Sequence, residues 1–206
     1  MSHTLKVTVH SAEGMDDVEH FGKNDPYVQV GLNLKDPKAF VKTTVKKNAG
    51  KHAEWNQTLS VEEYDPNTQH ELYVEIFDKE TTIDAPIGFL AIPLRQVTEA
   101  PNSIFRGAFN IFKPDGKEKG TISLTLAVVQ AGQAAPNVTV SEVRGQSQVV
   151  TEHQNRIKSA KNHEKAADVG IAAAIVGGVF GAKKLHDSHK ESQKAKEAAQ
   201  AEALEQ

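Results

Sequence analysis

The side chains whose spacing could do chemistry in this 206-residue chain are mostly carboxylates. Cysteine is absent, which excludes thiol nucleophiles, Cys-ligated zinc and disulfide scaffolds together. No Gly-x-Ser-x-Gly elbow, Gly-x-x-x-x-Gly-Lys loop or His-Glu-x-x-His pair occurs, so no enzyme activity is expected. The acidic residues of interest gather in two short stretches. Asp16, Asp17 and Glu19 precede Phe21-Gly-Lys-Asn-Asp-Pro-Tyr-Val28, and Val74-Glu-Ile-Phe-Asp-Lys-Glu80 leads on to Asp84 and Ile87-Gly88. Carboxylate oxygens are the hard ligands that Ca²⁺ takes, six to eight of them at about 2.3–2.6 Å. Acidic loops are more often simply solvated, and Asp25 before Pro26 also suits a turn. For Asp16 and Asp17 the solvated reading is preferred.

Bringing two distant stretches together needs a rigid frame whose loops converge. At 38% hydrophobic and 25% charged, the chain can form a sizeable core. Every Trp and Tyr, and every Phe but Phe180, lies before about residue 115, so the packing weight sits in the first two thirds. There Leu5, Val7 and Val9 alternate with Lys6, Thr8 and His10, the period of a half-buried strand. Further strand-like runs cover 27–32, 40–45, 55–61, 72–77, 87–94, 108–112 and 121–129. Most are separated by turn residues such as Asp65-Pro66-Asn67 and Pro114-Asp115-Gly116. Eight short strands predict an all-β, antiparallel sandwich or barrel.

Four segments in order sharpen this. The loop around Gly22-Lys23 and Asp25-Pro26 comes first. Lys42-Thr-Thr-Val45 with Glu54-Trp-Asn-Gln-Thr-Leu59 follows, then the stretch through Asp78, and finally Gly120-Thr-Ile-Ser-Leu-Thr-Leu126. The set closely resembles a C2 domain over residues 3–130. The resemblance implies an eight-stranded sandwich in the second of two circularly permuted topologies. It further implies Ca²⁺ held by Glu19, Asp25, Asp78, Glu80 and Asp84 from two apical loops. Glu19 and Glu80 stand where the family usually has Asp, and Asp84 lies four residues before Gly88 where three is usual. The longer Glu side chain loses more rotamer entropy when fixed, which affects affinity first.

The same resemblance points to a lysine-rich face, here Lys42, Lys46, Lys47 and Lys51, as a route to anionic lipid that needs no metal. The competing reading is an edge strand whose lysines block edge-to-edge pairing. Ile83 and Met15 are candidates for entering the lipid interface from the loop tips.

Beyond residue 130 the composition shifts. Residues 1–130 carry net charge −4, residues 131–206 net +1, and the whole chain −3, which argues against bulk attraction to nucleic acid. Residues 131–150 read as a linker and 151–206 as a helical or disordered tail. Within the tail, 169–182 is an uncharged Gly/Ala-rich run resembling a glycine zipper, with Gly170, Gly177 and Gly181 able to align on one helix face. It is short against the roughly 20 residues of a spanning helix. Self-association is the first reading of this run, shallow membrane association the second and a flexible segment the third. His186 and His189 share a helical spacing but lack a third ligand.

With no signal-peptide run at the amino terminus, a cytoplasmic protein is expected, reaching the membrane on a Ca²⁺ signal. The expected function is peripheral targeting to anionic phospholipid, with Ca²⁺ as cofactor. The alternative is a Ca²⁺-independent scaffold that oligomerises through its tail, and a third reading is membrane perturbation by that tail.

Overall fold

A computed structural model of the chain describes residues 3–19 and 22–168, with side chains through 163. The expected glycine zipper (Gly170, Gly177, Gly181) and the pair His186 and His189 lie outside the described residues.

Two four-stranded antiparallel layers face each other. One runs β4 (Ala53–Tyr64), β1 (His3–Glu13), β8 (Glu118–Gln130), β7 (Ile104–Phe112). The other runs β3 (Val41–Lys42), β2 (Pro26–Gly31), β5 (Glu71–Asp78), β6 (Ala85–Pro93). The layers meet at β6 and β7, which share a single pairing, Phe89 with Phe112. Gly88 makes that approach possible: a Cβ there would sit 2.4 Å from the Ile111 side chain and 3.1 Å from the Phe112 carbonyl oxygen. The alternation read from the sequence is the alternation of burial. Leu5, Val7 and Val9 are fully buried and face a core that also holds Leu124, Leu126, Phe109, Val28, Val74 and Ile76. Burying each such side chain contributes about 1.5–3 kcal/mol.

The strand expected over 40–45 narrows to two residues. Beyond them the pairing is irregular: the Thr43 N–H still donates to the Val28 carbonyl at 2.9 Å, but the Val28 N–H donates to the Thr43 hydroxyl and the Thr44 N–H to Gln57 Oε1. Between β6 and β7 a short helix, α1 (Arg95–Thr98), makes the crossing.

After β8 the chain returns to the sandwich. Within 131–150, read from sequence as a linker, β9 (Val143–Arg144) pairs in parallel with β7, and Gln148 bridges Ala91 of β6. Helix α2 (Thr151–Asp168) then lies chiefly against β6, with His153 and Ile157 fully buried. Strand β6 is therefore buried at every position but its last, because both its faces are covered. Among the described residues no helix is long and apolar enough to cross a membrane.

Candidate functional site

Because the strands alternate in direction, the loops after β1, β3, β5 and β7 all emerge at one end, called apical below. Asp25 sits immediately before β2 and Asp78 is the last residue of β5. Pro26 is the cross-strand partner of Asp78, so the ladder itself brings the two acidic stretches together. The Asp25 N–H donates to Asp78 Oδ1 at 2.5 Å, and the Lys79 N–H donates to the Asp25 carbonyl at 3.1 Å.

One side chain fixes the first apical loop. Asn24 is fully buried; its Oδ1 accepts the Val18 N–H at 3.2 Å, and its Nδ2 donates to the carbonyls of Asp16 and Gly50. It thus ties the loop after β1 to the loop after β3. Sequence reasoning missed it, since an Asn between Lys23 and Asp25 reads as ordinary turn chemistry.

The five acidic residues implied by the resemblance divide into two groups. Glu19, Asp78 and Glu80 each bring a carboxylate oxygen within 4.8 Å of the others. Asp78 is fully buried, and its Oδ2 has no hydrogen-bond partner among the described residues. Burial pushes the Asp78 carboxyl up to about 6, with the charges of Glu19 and Asp25 adding to the rise and the Asp25 N–H opposing it. All the donors are oxygen, and the orphaned atom needs a positive partner. A hard divalent cation fits both demands, and Glu19, Asp78 and Glu80 are the residues that would hold it.

Asp25 and Asp84 are engaged elsewhere. Asp25 Oδ2 accepts from Lys47 Nζ at 2.7 Å and Oδ1 from the Asn48 N–H at 2.6 Å. The Lys47 bond, then the Asn48 bond, hold this carboxyl below its ordinary range. Asp84 Oδ1 accepts from Lys79 Nζ at 2.9 Å and the Glu80 N–H at 3.1 Å, while Oδ2 accepts from the Tyr27 hydroxyl at 2.8 Å. Tyr27 was also missed, because an apolar strand position hides the reach of its hydroxyl.

The four lysines read as one face are spread over two places. Lys42 stands on β3, its ammonium 5.3 Å from the centre of the Tyr27 ring. Lys46, Lys47 and Lys51 belong to the apical loop after β3, where Lys47 pairs with Asp25 and Lys51 lies 4.0 Å from Asp17. Ile83 is 38% exposed at the tip of the loop after β5. Met15, expected at a tip, is instead fully buried in the core, and its N–H donates to the Lys51 carbonyl at 3.1 Å.

This architecture and loop cluster define a β-sandwich with an acidic apical end, and comparison places it in a family. The family model described as "C2 domain" matches residues 3–109, more than half of the chain. The chain belongs to the C2 domain family. It is 35% identical over 125 residues to the 16 kDa phloem protein 2 of Arabidopsis thaliana, covering 60% of this chain and 80% of that protein. A calcium-dependent lipid-binding protein of the same plant is 26% identical over 183 residues, 86% of this chain and 34% of the relative. The fold matches a solved C2 domain of plant extended synaptotagmin 1 with a TM-score of 0.53 at 24% identity, covering 63% of this chain and 96% of that one.

Proposed function

We propose that the chain is a peripheral membrane-targeting module that binds anionic phospholipid through its apical end in a Ca²⁺-dependent way. The observation that carries this reading is the orphaned Oδ2 of the buried Asp78, set among the oxygens of Glu19 and Glu80. A bound calcium ion would add positive charge and open coordination positions for the phosphate or carboxylate oxygens of a lipid. Glu19, Asp78 and Glu80 supply the first ligands. Asp25 and Asp84 join only on releasing Lys47 and Lys79, whose ammonium groups then become available to headgroups. Ile83 adds a small apolar contact from a polar tip. The name of one relative, a calcium-dependent lipid-binding protein, supports the same reading.

Calorimetric titration of the full chain with Ca²⁺, followed by sedimentation with phosphatidylserine vesicles, tests it. Heat on Ca²⁺ addition and vesicle binding abolished by chelator are expected. A flat titration with equal vesicle binding in chelator would favour a second reading, docking through Lys42, Lys46, Lys47 and Lys51 without metal. The existing Lys47–Asp25 and Lys79–Asp84 pairs support that reading, because each already neutralises an apical carboxylate that the metal would otherwise claim. The tail-driven scaffold rests on residues outside those described.

A further inference from the structure

Helix α2 is polar by composition, yet its first turns are clamped onto the sandwich by a buried charge. Glu75 is fully buried on the outer face of β5, in a cross-strand row with Lys42, Gln29 and Phe89. Its carboxylate accepts from Gln29 Nε2, from His153 Nε2 at 3.2 Å and from Arg156 Nε at 2.7 Å. The His153 ring stands edge-on to Tyr73 and Phe89, with centroids 5.1 and 4.9 Å away, and the Arg156 guanidinium lies 5.2 Å from the Phe40 ring centre. Gln154 Nε2 also donates to the Pro114 carbonyl at 3.1 Å, which ties α2 to the apical turn between β7 and β8.

This clamp delivers charge to a specific place. Lys158 and Lys161, one helical turn apart, line a groove of about 250 Å³ with Lys113, Pro114, Asp115 and Asp16. Asp16 belongs to the loop that carries Glu19. Asp115 is shared by Lys113 at 3.6 Å and Lys117 at 3.8 Å. Neither Lys158 nor Lys161 has an ion-pair partner within 4.0 Å among the described residues. The apical segments 14–25, 43–52, 78–84 and 113–117 carry seven lysines and eight carboxylates. Adding Lys158 and Lys161 turns that balance from −1 to +1 before any metal binds.

We propose that α2 is part of the membrane-contacting end and that the groove of Lys113, Lys158 and Lys161 receives the phosphate of an anionic lipid headgroup at the same end of the sandwich as the acidic loops. This rests on the membrane-targeting reading above and adds a second anchoring point in which two lysines from outside the loops join Lys113. An ammonium group held near an anionic bilayer gains from the surface potential, and two such groups on a fixed helix gain together.

The test uses the full chain with Lys158→Ala/Lys161→Ala, phosphatidylserine vesicles and saturating Ca²⁺. Lys35→Ala/Lys38→Ala, in the loop between β2 and β3 at the opposite end, controls for net charge. Vesicle affinity is expected to fall roughly tenfold in the α2 variant and to stay within about twofold in the control. Ca²⁺ affinity measured without lipid is expected to be unchanged in both. If the α2 variant binds vesicles like the wild type, the groove proposal falls and the targeting reading stands. An equal loss in the control also overturns the groove, since charge alone would then explain it. If the wild-type chain itself does not bind these vesicles, both fall. Unchanged melting temperatures in both variants establish that neither result comes from unfolding.

Discussion

Glu75 and Asp78 lie three residues apart on β5, both fully removed from solvent, and the fold treats them in opposite ways. Around Glu75, donors from β2 and α2 occupy both oxygens. Burial pushes that carboxyl up, but the bonds and charges of His153 and Arg156 outweigh it and hold it below the ordinary glutamate range. Around Asp78 one oxygen takes a backbone N–H, the other is left without a partner, and the charges of Glu19 and Asp25 push against its ionisation. A buried carboxylate that is fully bonded holds structure together, whereas one left half bonded has an acceptor to spare for a water or an ion. The first explains why a polar helix docks. The second leaves Asp78 an acceptor atom that, on the reading proposed above, takes a cation.

Breaking the comparison at Asp78 gives the largest effect. Asp78→Asn keeps the oxygen that accepts the Asp25 N–H but removes the charge that a hard cation needs, so Ca²⁺ affinity should drop by roughly a hundredfold or more. Glu75→Gln, equally buried on the same strand, should leave that affinity within about threefold. Calorimetry on both variants checks this, and a loss of similar size in Glu75→Gln would mean that the two carboxylates are not separate.

In stability the two changes should have opposite signs. Removing Glu75 strands the buried His153 and the partly exposed Arg156, a loss of about 2 kcal/mol for Glu75→Ala and less for Gln. Limited trypsin digestion should then cut after Lys158 and Lys161 faster than in the wild type. Asp78→Asn removes a poorly compensated buried charge and should stabilise the metal-free domain by about 1 kcal/mol, a few degrees in melting temperature. A destabilised Asp78→Asn variant in chelator would contradict the picture of a half-satisfied site.

The pH profile separates them again. A carboxyl raised to about 6 in the fold is protonated more readily there than in the unfolded chain, where Asp titrates near 3.9. Its ionisation therefore removes stability as pH rises from about 4 through 6, and the loss is complete above that. Glu75 is depressed, so its contribution is present above the ordinary glutamate range and disappears as pH falls through its lowered value. Thermal melts in chelator should peak near roughly pH 5, and Asp78→Asn should flatten the alkaline side of that peak.

The sandwich and its apical end were legible because their signals are local and periodic. The alternation of Leu5, Val7 and Val9 marks a strand with one wet face, and turn residues at the strand ends mark where carboxylates can converge. The docking of α2 was not legible in the helix itself. Only His153 and Ile157 of its first seven residues are buried, too few to give an apolar stripe. The signal lay in its partner: Ile87-Gly-Phe-Leu-Ala-Ile-Pro-Leu94 is apolar without alternation, the pattern of a strand covered on both faces, and the structure shows α2 as the second cover. Glu75, an acid in the middle of an apolar strand, was the matching clue. Met15 failed as a tip residue for a related reason. Its N–H bonds across to the loop after β3, which turns the side chain into the core.

The smallest effect sharpens the contrast from the side of the lysines. Lys47 is an exposed ammonium whose bond to Asp25 competes with any cation for that carboxylate. The pair raises the Lys47 ammonium above its ordinary range and lowers Asp25, so each partner favours the charge of the other. Solvent screens such a pair, which keeps the competition weak. Lys47→Met should therefore raise Ca²⁺ affinity in the absence of lipid only about threefold, while weakening attachment to phosphatidylserine vesicles, because the displaced ammonium no longer meets a headgroup. Calorimetry and sedimentation on one variant read the two effects separately. If Ca²⁺ affinity falls instead, Lys47 is holding Asp25 in a binding posture, and the division of the apical carboxylates into a trio around Asp78 and two lysine-bound residues does not describe how the site fills.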